Sequence, residues 1–261
     1  MTSLTPIVRI LLLTWAAVWV ISYTLLLGGV SLYDWFGFSP AEITSGQLAG
    51  LIGVVSYPFL HQPSLLPWHL LINCLIFYFF APEVERLNPG RKFVRLMLSA
   101  TVAGAALMFL LHLLTGKFLG PMFGGSGLVS CCFAFLAAVY PDMRVSLIVI
   151  QVRLLPLFLV LTGFDLLRLI TELSGAGGSG VAAEVHLAGA AVGWTAAGGW
   201  ERFPIFAGMA ARARQRRAEK EQAAESRDEA ELDRILAKIS KEGIGSLTPA
   251  ERKFLDRRSK R

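Results

Sequence analysis

Four polar residues suited to acyl transfer lie within apolar stretches of the sequence. They are His69, Asn73, Ser126 and His186. A serine hydroxyl becomes a strong nucleophile when a neutral histidine takes its proton, so we predict that Ser126 and His186 form a catalytic dyad. Asn73 and His69 are predicted to donate hydrogen bonds to the oxyanion of a tetrahedral intermediate. Because polar side chains are costly in apolar segments, their presence predicts a functional site.

Glycines surround the serine in the run Gly124-Gly125-Ser126-Gly127. The two glycines before the serine permit an irregular backbone where the chain turns into a helix, and the one after it removes bulk beside the attacking oxygen. The amide of Ser126 then lies at a helix N-terminus, where the negative charge of an oxyanion is favoured.

The histidine lies in a stripe of small residues. Ala182, His186, Gly189 and Gly193 recur at helical spacing, and small residues let helices approach closely in lipid. Ser126 begins a similar stripe on its own helix. We therefore predict that these two helices pack closely enough for Ser126 Oγ to reach His186 by a hydrogen bond.

The elements that must position these residues are predicted to be membrane-spanning helices. A hydrocarbon layer of about 30 Å requires roughly 20 apolar residues in a helix. Six stretches meet or approach that length, and the first lacks a leader-type cleavage pattern, so we expect it to be retained. The predicted spans are 7–30, 68–82, 93–114, 123–140, 145–169 and 181–200.

The distribution of charge predicts the domains and the topology. Of the 25 Lys and Arg residues 16 follow Trp200, as do 11 of the 19 Asp and Glu residues, so the tail carries +5 of the net charge of +6. We predict a membrane domain over 1–200 and a basic, helical cytoplasmic tail over 201–261. Basic residues gather on one side of the predicted spans, which predicts a multi-pass protein of the plasma (inner) membrane with both termini in the cytoplasm.

Together these motifs resemble the rhomboid intramembrane serine proteases, in particular bacterial members with a short C-terminal helical segment. The resemblance rests on Phe59-Leu60-His61, His69-x-x-x-Asn73, Glu85-Arg86, Gly124-Gly125-Ser126-Gly127 and Ala182-x-x-x-His186-x-x-Gly189-x-x-x-Gly193. It implies an all-α bundle of six transmembrane helices, with Ser126 as nucleophile, His186 as base, and Asn73, His69 and the Ser126 amide as oxyanion hole. It also implies a mobile cap at 175–180.

Two positions depart from that family's pattern. Leu128 replaces a common alanine, and Ser130 replaces an aromatic residue or glycine four residues past the serine. Ser130 cannot stack on the imidazole as an aromatic ring would. These departures bear on substrate preference more than on the chemistry.

The resemblance implies a serine endopeptidase whose partners are the lipid bilayer and single-pass membrane substrates cut near the outer leaflet. The alternative is a catalytically silent rhomboid-like protein that binds transmembrane helices for trafficking or degradation. Zinc and aspartyl protease motifs are missing from the sequence, and we expect no metal, cofactor or nucleic acid. We find no carboxylate placed to orient His186, and expect Asp165 and Arg168 to pair with each other.

The tail shows signals of a helical hairpin but no catalytic constellation. Gly243 is typical of a helix C-terminus, and Thr248 to Glu251 has the pattern of a capping box. Leu232, Ile235, Leu236 and Ile239 form an apolar stripe, and Arg212, Arg214, Arg216 and Arg217 could lie against anionic lipid. We expect a docking or regulatory role with a cytoplasmic partner.

Overall fold

The computed structural model describes residues 3–117, 121–147, 150–175, 182–202 and 204–259. They fall into two compact units, Met1–Gly199 and Trp200–Arg261. Of the cap predicted at 175–180, only Gly175 belongs to the described residues. It ends a helix in a left-handed conformation with φ of 82°.

The first unit is an all-α polytopic bundle, as the sequence predicts. Helix α1 is followed by three short helices, and then by five helices that complete the bundle. Three of these helices, α1, α6 and α8, are long and apolar enough to cross a membrane by length and composition. The bounds are α1 Pro6–Leu27, α2 Tyr33–Phe36, α3 Pro40–Thr44, α4 Leu48–Ser56, α5 Trp68–Leu87, α6 Arg91–Thr115, α7 Ser126–Val139, α8 Leu154–Ser174 and α9 Ala183–Ala196.

The fifth predicted span, 145–169, is wrong in its first part. An antiparallel hairpin occupies this stretch, with β1 Arg144–Leu147 paired to β2 Ile150–Arg153, and α8 begins only at Leu154. The reason is visible in the alternation of polar with apolar, mostly β-branched residues, which favours strands. At the other end α8 continues to Ser174, where Gly175 ends it.

Close contacts between backbones hold α7 and α9 together. A Cβ atom on Gly189 would overlap the carbonyl of Gly127, and one on Gly193 would overlap the carbonyl of Cys131. Helix α9 also packs against α6 and α8. The small residues of α9 are therefore required where this helix crosses α7.

A buried carboxylate joins the start of α1 to the end of α5. Glu85 accepts hydrogen bonds from the backbone N–H groups of Ile7 (3.1 Å) and Val8 (2.9 Å) and from the hydroxyl of Thr5. These are among the donors that a helix N-terminus leaves without partners. The neighbouring Arg86 donates to the carbonyl of Ser3 at 2.7 Å. The Glu85-Arg86 motif thus anchors the first helix.

The second unit is a helical hairpin. Helix α10 spans Pro204–Glu242 and ends at Gly243, whose φ is 79°, and α11 spans Pro249–Ser259. The capping box is confirmed, since Thr248 N–H donates to Glu251 at 2.8 Å and Glu251 N–H donates to Thr248 Oγ1 at 3.3 Å. Of the predicted apolar stripe only Ile235 is fully buried, whereas Leu236 is half exposed.

Candidate active site

Segments before α5 fix the loop that leads to Ser126. Met122 and Phe38 exchange two backbone hydrogen bonds, of 2.7 and 2.9 Å. Two residues later, Gly124 N–H donates to the carbonyl of Tyr57 at 3.0 Å. Gly125 N–H then donates to the imidazole Nε2 of His61 at 3.4 Å. Three successive contacts therefore set where α7 begins.

The glycines of the serine motif have separate steric reasons. Gly124 has a φ of +126°, a conformation that side chains disfavour. Gly125 lies against the indole of Trp15, where a Cβ would overlap the ring. A Cβ on Gly127 would lie 2.6 Å from Cγ1 of Val185 on α9. Each glycine removes a different obstacle around Ser126.

His61 is the clearest positioning residue of this loop. It is fully buried, with its ring 5.1 Å from that of Trp15 and its carbonyl accepting a 2.6 Å hydrogen bond from the Tyr33 hydroxyl. Burial lowers the pKa of His61 to about 3, and repulsion from His69 adds to this. The imidazole is therefore neutral near pH 7, so that its Nε2 can accept from Gly125.

Ser126 and His186 line one cavity of about 1490 Å³. The cavity follows α7 from Ser126 to Tyr140, and α5 and α8 supply much of its mainly apolar wall. Within the described part of the chain, no hydrogen bond joins Ser126 to His186, so the predicted direct contact is absent. The dyad residues share a cavity without touching each other through a hydrogen bond.

The imidazole of His186 is held by a carboxylate that was not predicted as its partner. Its Nδ1 lies 3.1 Å from Oδ2 of Asp165, a residue of α8. The expectation that no carboxylate orients His186 was therefore wrong. The two residues are 21 positions apart on different helices. The one sign of this contact in the sequence was that Asp165 is a carboxylate inside an apolar span.

The expected pairing of Asp165 with Arg168 is present as well. Arg168 Nη1 lies 3.5 Å from Oδ1 of Asp165, and its side chain is about half exposed. Asp165 therefore uses one oxygen for the histidine and the other for the arginine. All three side chains line the same cavity.

Of the two predicted oxyanion-hole side chains, His69 lies beside the serine loop. A Cβ on Gly124 would lie 2.8 Å from Cε1 of His69, and 3.9 Å from Ser126 Oγ. Asn73 is buried one turn further along α5, with its Nδ2 donating to the carbonyl of His69 at 2.9 Å. Neither His69 nor Asn73 lines the cavity that Ser126 and His186 share.

The remaining predicted positions belong to the frame of the site. The carbonyl of Ala182 accepts from the N–H groups of Val185 (3.1 Å) and His186 (3.3 Å) and so starts α9. Ser130 lines the cavity, whereas Leu128 is buried in the bundle. Within the described ranges, no cluster of three or more His, Cys, Asp or Glu is placed to hold a metal ion.

Comparison with known families gave two matches. The family described as "Rhomboid domain" matches residues 45–200, which is more than half of the chain. A family of unknown function (DUF6576) matches residues 217–261. A search among curated proteins found no match.

Proposed function

The chain belongs to the rhomboid family of membrane proteins, and on this premise we propose that it is an intramembrane serine endopeptidase. Ser126 is the nucleophile and His186 the general base. The observation that carries the proposal is that a serine at the N-terminus of α7 and a histidine of α9 line one cavity in an apolar bundle. The serine directly follows a loop held by three separate contacts, as a preorganised nucleophile requires.

The proposed reaction is acyl transfer. Nε2 of His186 takes the proton of Ser126 Oγ as this oxygen attacks the scissile carbonyl. The oxyanion is stabilised by the Ser126 amide at the start of α7, with Asn73 and His69 as further donors. His186 then protonates the leaving amine, and water releases the acyl group from Ser126. The Ser126 to His186 hydrogen bond forms when substrate fills the cavity.

The shape of the cavity supports a transmembrane segment as substrate. The cavity accompanies α7 over its full length, and apolar side chains of α5 and α8 face it, among them Phe79, Phe80 and Leu161. An apolar helix can pack against these side chains. Its carbonyls must leave their helical hydrogen bonds before attack, so we expect cleavage beside small or helix-weakening residues.

The distribution of Lys and Arg supports the proposed orientation. With both termini in the cytoplasm, α7 and α9 start at the outer face of the plasma membrane. Cleavage would then occur in the outer half of the bilayer, close to water for the second half of the reaction.

The test is cleavage of a model single-pass substrate by the full-length protein in lipid vesicles. We expect Ser126→Ala and His186→Ala to lower kcat by about 10³-fold or more, because each removes a reacting group. The matched control is Thr195→Val, which changes an exposed hydroxyl of α9 outside the cavity. Equal cleavage by the wild type and both active-site variants would refute the proposal.

A second readout does not depend on finding a good substrate. A fluorophosphonate reacts with an activated serine, so mass spectrometry should locate the adduct on Ser126 in the wild type. The adduct should be lost in His186→Ala and kept in Thr195→Val. Labelling that is the same with and without His186 would mean that this histidine does not activate the serine.

One observation favours the second candidate function, helix binding without proteolysis. No hydrogen bond joins Ser126 to His186 within the described residues, while the apolar cavity alone could hold a transmembrane helix. If the protein only binds helices, the wild type and Ser126→Ala should capture the substrate equally well, and neither should release fragments. The vesicle experiment separates the two functions.

A further inference from the structure

A carboxylate of the cavity wall contacts the ring nitrogen of His186 that the proposed proton transfer does not use. Nδ1 of His186 and Oδ2 of Asp165 lie 3.1 Å apart, and the side chains are 17% and 15% exposed. This contact joins α9 to α8 inside an apolar bundle, where a carboxylate needs a specific partner. Both residues line the cavity that holds Ser126.

We propose that Asp165 is the positioning residue of His186, so that Ser126, His186 and Asp165 act in sequence across α7, α9 and α8. The inference rests on the proposed function, to which it adds a third participant. In this role Asp165 exchanges no proton with the substrate or with Ser126. It acts through the imidazole.

The geometry explains what the carboxylate does. By accepting from Nδ1–H, Asp165 selects the tautomer in which Nε2 carries the lone pair, which is the atom that must take the serine proton. The same hydrogen bond fixes the plane of the ring. When the imidazole becomes positively charged in the transition state, the carboxylate stabilises that charge at hydrogen-bond distance.

Arg168 keeps the carboxylate in place. It contacts Oδ1 at 3.5 Å from the next turn of α8, while Oδ2 remains directed to the histidine. A carboxylate with two partners on different oxygens has little freedom to rotate. The half-exposed Arg168 is screened by solvent, so its ion pair with Asp165 adds little to the stability of the protein.

The charges around His186 come from three helices. Helix α8 supplies Asp165 and Arg168, α9 itself supplies the buried Glu184, and α5 supplies His69, which interacts electrostatically with His186. Among these groups, the one in direct hydrogen-bond contact with the imidazole is Asp165. Removing its charge should therefore disturb the position of His186 more than removing any other charge of this set.

The kinetic test is Asp165→Asn in vesicles with the model substrate. We expect kcat to fall by about 10²- to 10⁴-fold with a smaller change in KM, since Asp165 acts on the imidazole rather than on the reacting carbonyl. The imidazolium loses a stabilising negative charge, so the acidic limb of the pH–rate profile should move to lower pH. Asp165→Glu restores the charge and should recover part of kcat.

The matched control is Glu172→Gln. Glu172 is a carboxylate of α8, seven residues and therefore two turns beyond Asp165, outside the cavity lining. Its replacement should change kcat less than about threefold. An unchanged kcat in Asp165→Asn would overturn the proposal, and so would a fall in kcat with an unmoved acidic limb and no recovery by Asp165→Glu, since that would mark a purely structural role.

A spectroscopic readout separates this inference from the proposed function. In protein carrying ¹⁵N-histidine, the His186 signals are identified by their loss in His186→Ala among the four histidines of the chain. The wild type should show a protonated Nδ1, and Asp165→Asn should shift or broaden that signal. If the signal responds while Ser126→Ala still cleaves substrate, proteolysis by Ser126 is wrong and the contact stands. If the signal does not respond and Ser126→Ala is inactive, the role of Asp165 is wrong and proteolysis by Ser126 stands.

Discussion

Each of the two units is held together by its own internal contacts, and these contacts differ in kind. In the membrane unit, α7 and α9 meet through the backbones of Gly127 and Gly189, with no side chain between them. In the tail, α10 and α11 are joined by side chains, since Arg234 and Lys238 contact the carboxylate of Glu251 at 2.7 and 3.1 Å.

The difference follows from the two solvents. Lipid chains are as apolar as leucine, so helices in a bilayer associate through close packing, which small residues permit. A two-helix hairpin in water buries little apolar surface, here Ile235 and Leu247 among the described residues, and depends on caps and charge pairs. The same chain therefore has one unit sensitive to added volume and another sensitive to lost charge.

The largest effect should come from adding volume between α7 and α9. Gly189→Leu would force its side chain into the carbonyl of Gly127, so we expect the membrane unit to lose at least about 3 kcal/mol of unfolding free energy. Circular dichroism during unfolding in mixed micelles measures this.

The control for added volume is Gly163→Ala on α8, where a Cβ would meet no atom within 4 Å. It should be neutral or stabilise by up to about 1 kcal/mol, because alanine favours helix over glycine. Equal losses in the two variants would show that close packing is not what distinguishes the membrane unit.

A smaller effect should come from removing a charge inside the membrane unit. Glu85→Ala leaves the first N–H groups of α1 without their acceptor, and should cost about 2 to 3 kcal/mol in the same unfolding measurement. Its matched control is Glu83→Ala, two residues away, which loses a partly exposed contact with Arg86. That loss should be below about 1 kcal/mol. A reversed order would contradict the anchoring of α1 by Glu85.

The smallest effect on the whole molecule should come from the tail. Hydrogen bonds from the Thr248 backbone, Arg234 and Lys238 lower the pKa of Glu251 to about 2 from 4.5. A lowered pKa means that the stabilisation is complete above the unfolded value and is lost as the pH falls from about 4.5 towards 2. The protection of the α11 amides against hydrogen exchange, taken relative to the intrinsic rate at each pH, should therefore fall over that range.

Glu251→Gln should lower the protection of the α11 amides already at pH 7, while hydrogen exchange in the bundle stays as in the wild type. The control Asp233→Asn, an exposed position of α10, should leave α11 protected. Faster exchange throughout the bundle after Glu251→Gln would show that the tail stabilises the membrane unit, so that the two units could not be treated as separately stabilised.

Much of the bundle could be predicted from hydropathy, because apolar length decides whether a helix forms in lipid. The stretch before α8 could not, since its apolar residues suggested a span while their alternation with Arg144, Ser146, Gln151 and Arg153 favoured a hairpin. The short helices α2 to α4 were also missed, because such brief elements owe their form to tertiary contacts rather than to a repeating pattern.

The candidate site divides in the same way. Ser126 and His186 could be proposed from the sequence because their motifs are local. Asp165 was assigned to Arg168 alone, since a neighbour at i+3 is visible in a sequence, whereas a contact between α8 and α9 depends on how the helices are rotated. His61 belongs to a motif that the sequence shows, but its partner, the amide of Gly125, could come only from the fold.

The anchoring of the serine loop by Phe38, Tyr57 and His61 has a thermal consequence. All three anchors belong to segments outside α1 and α5 to α9. Such connecting segments open at lower free energy than the helices they join. Warming would therefore misalign the hydroxyl of Ser126 while the bundle is still intact. The proposed proteolysis should therefore be lost before the bundle melts and should return on cooling, without the chain ever having to refold.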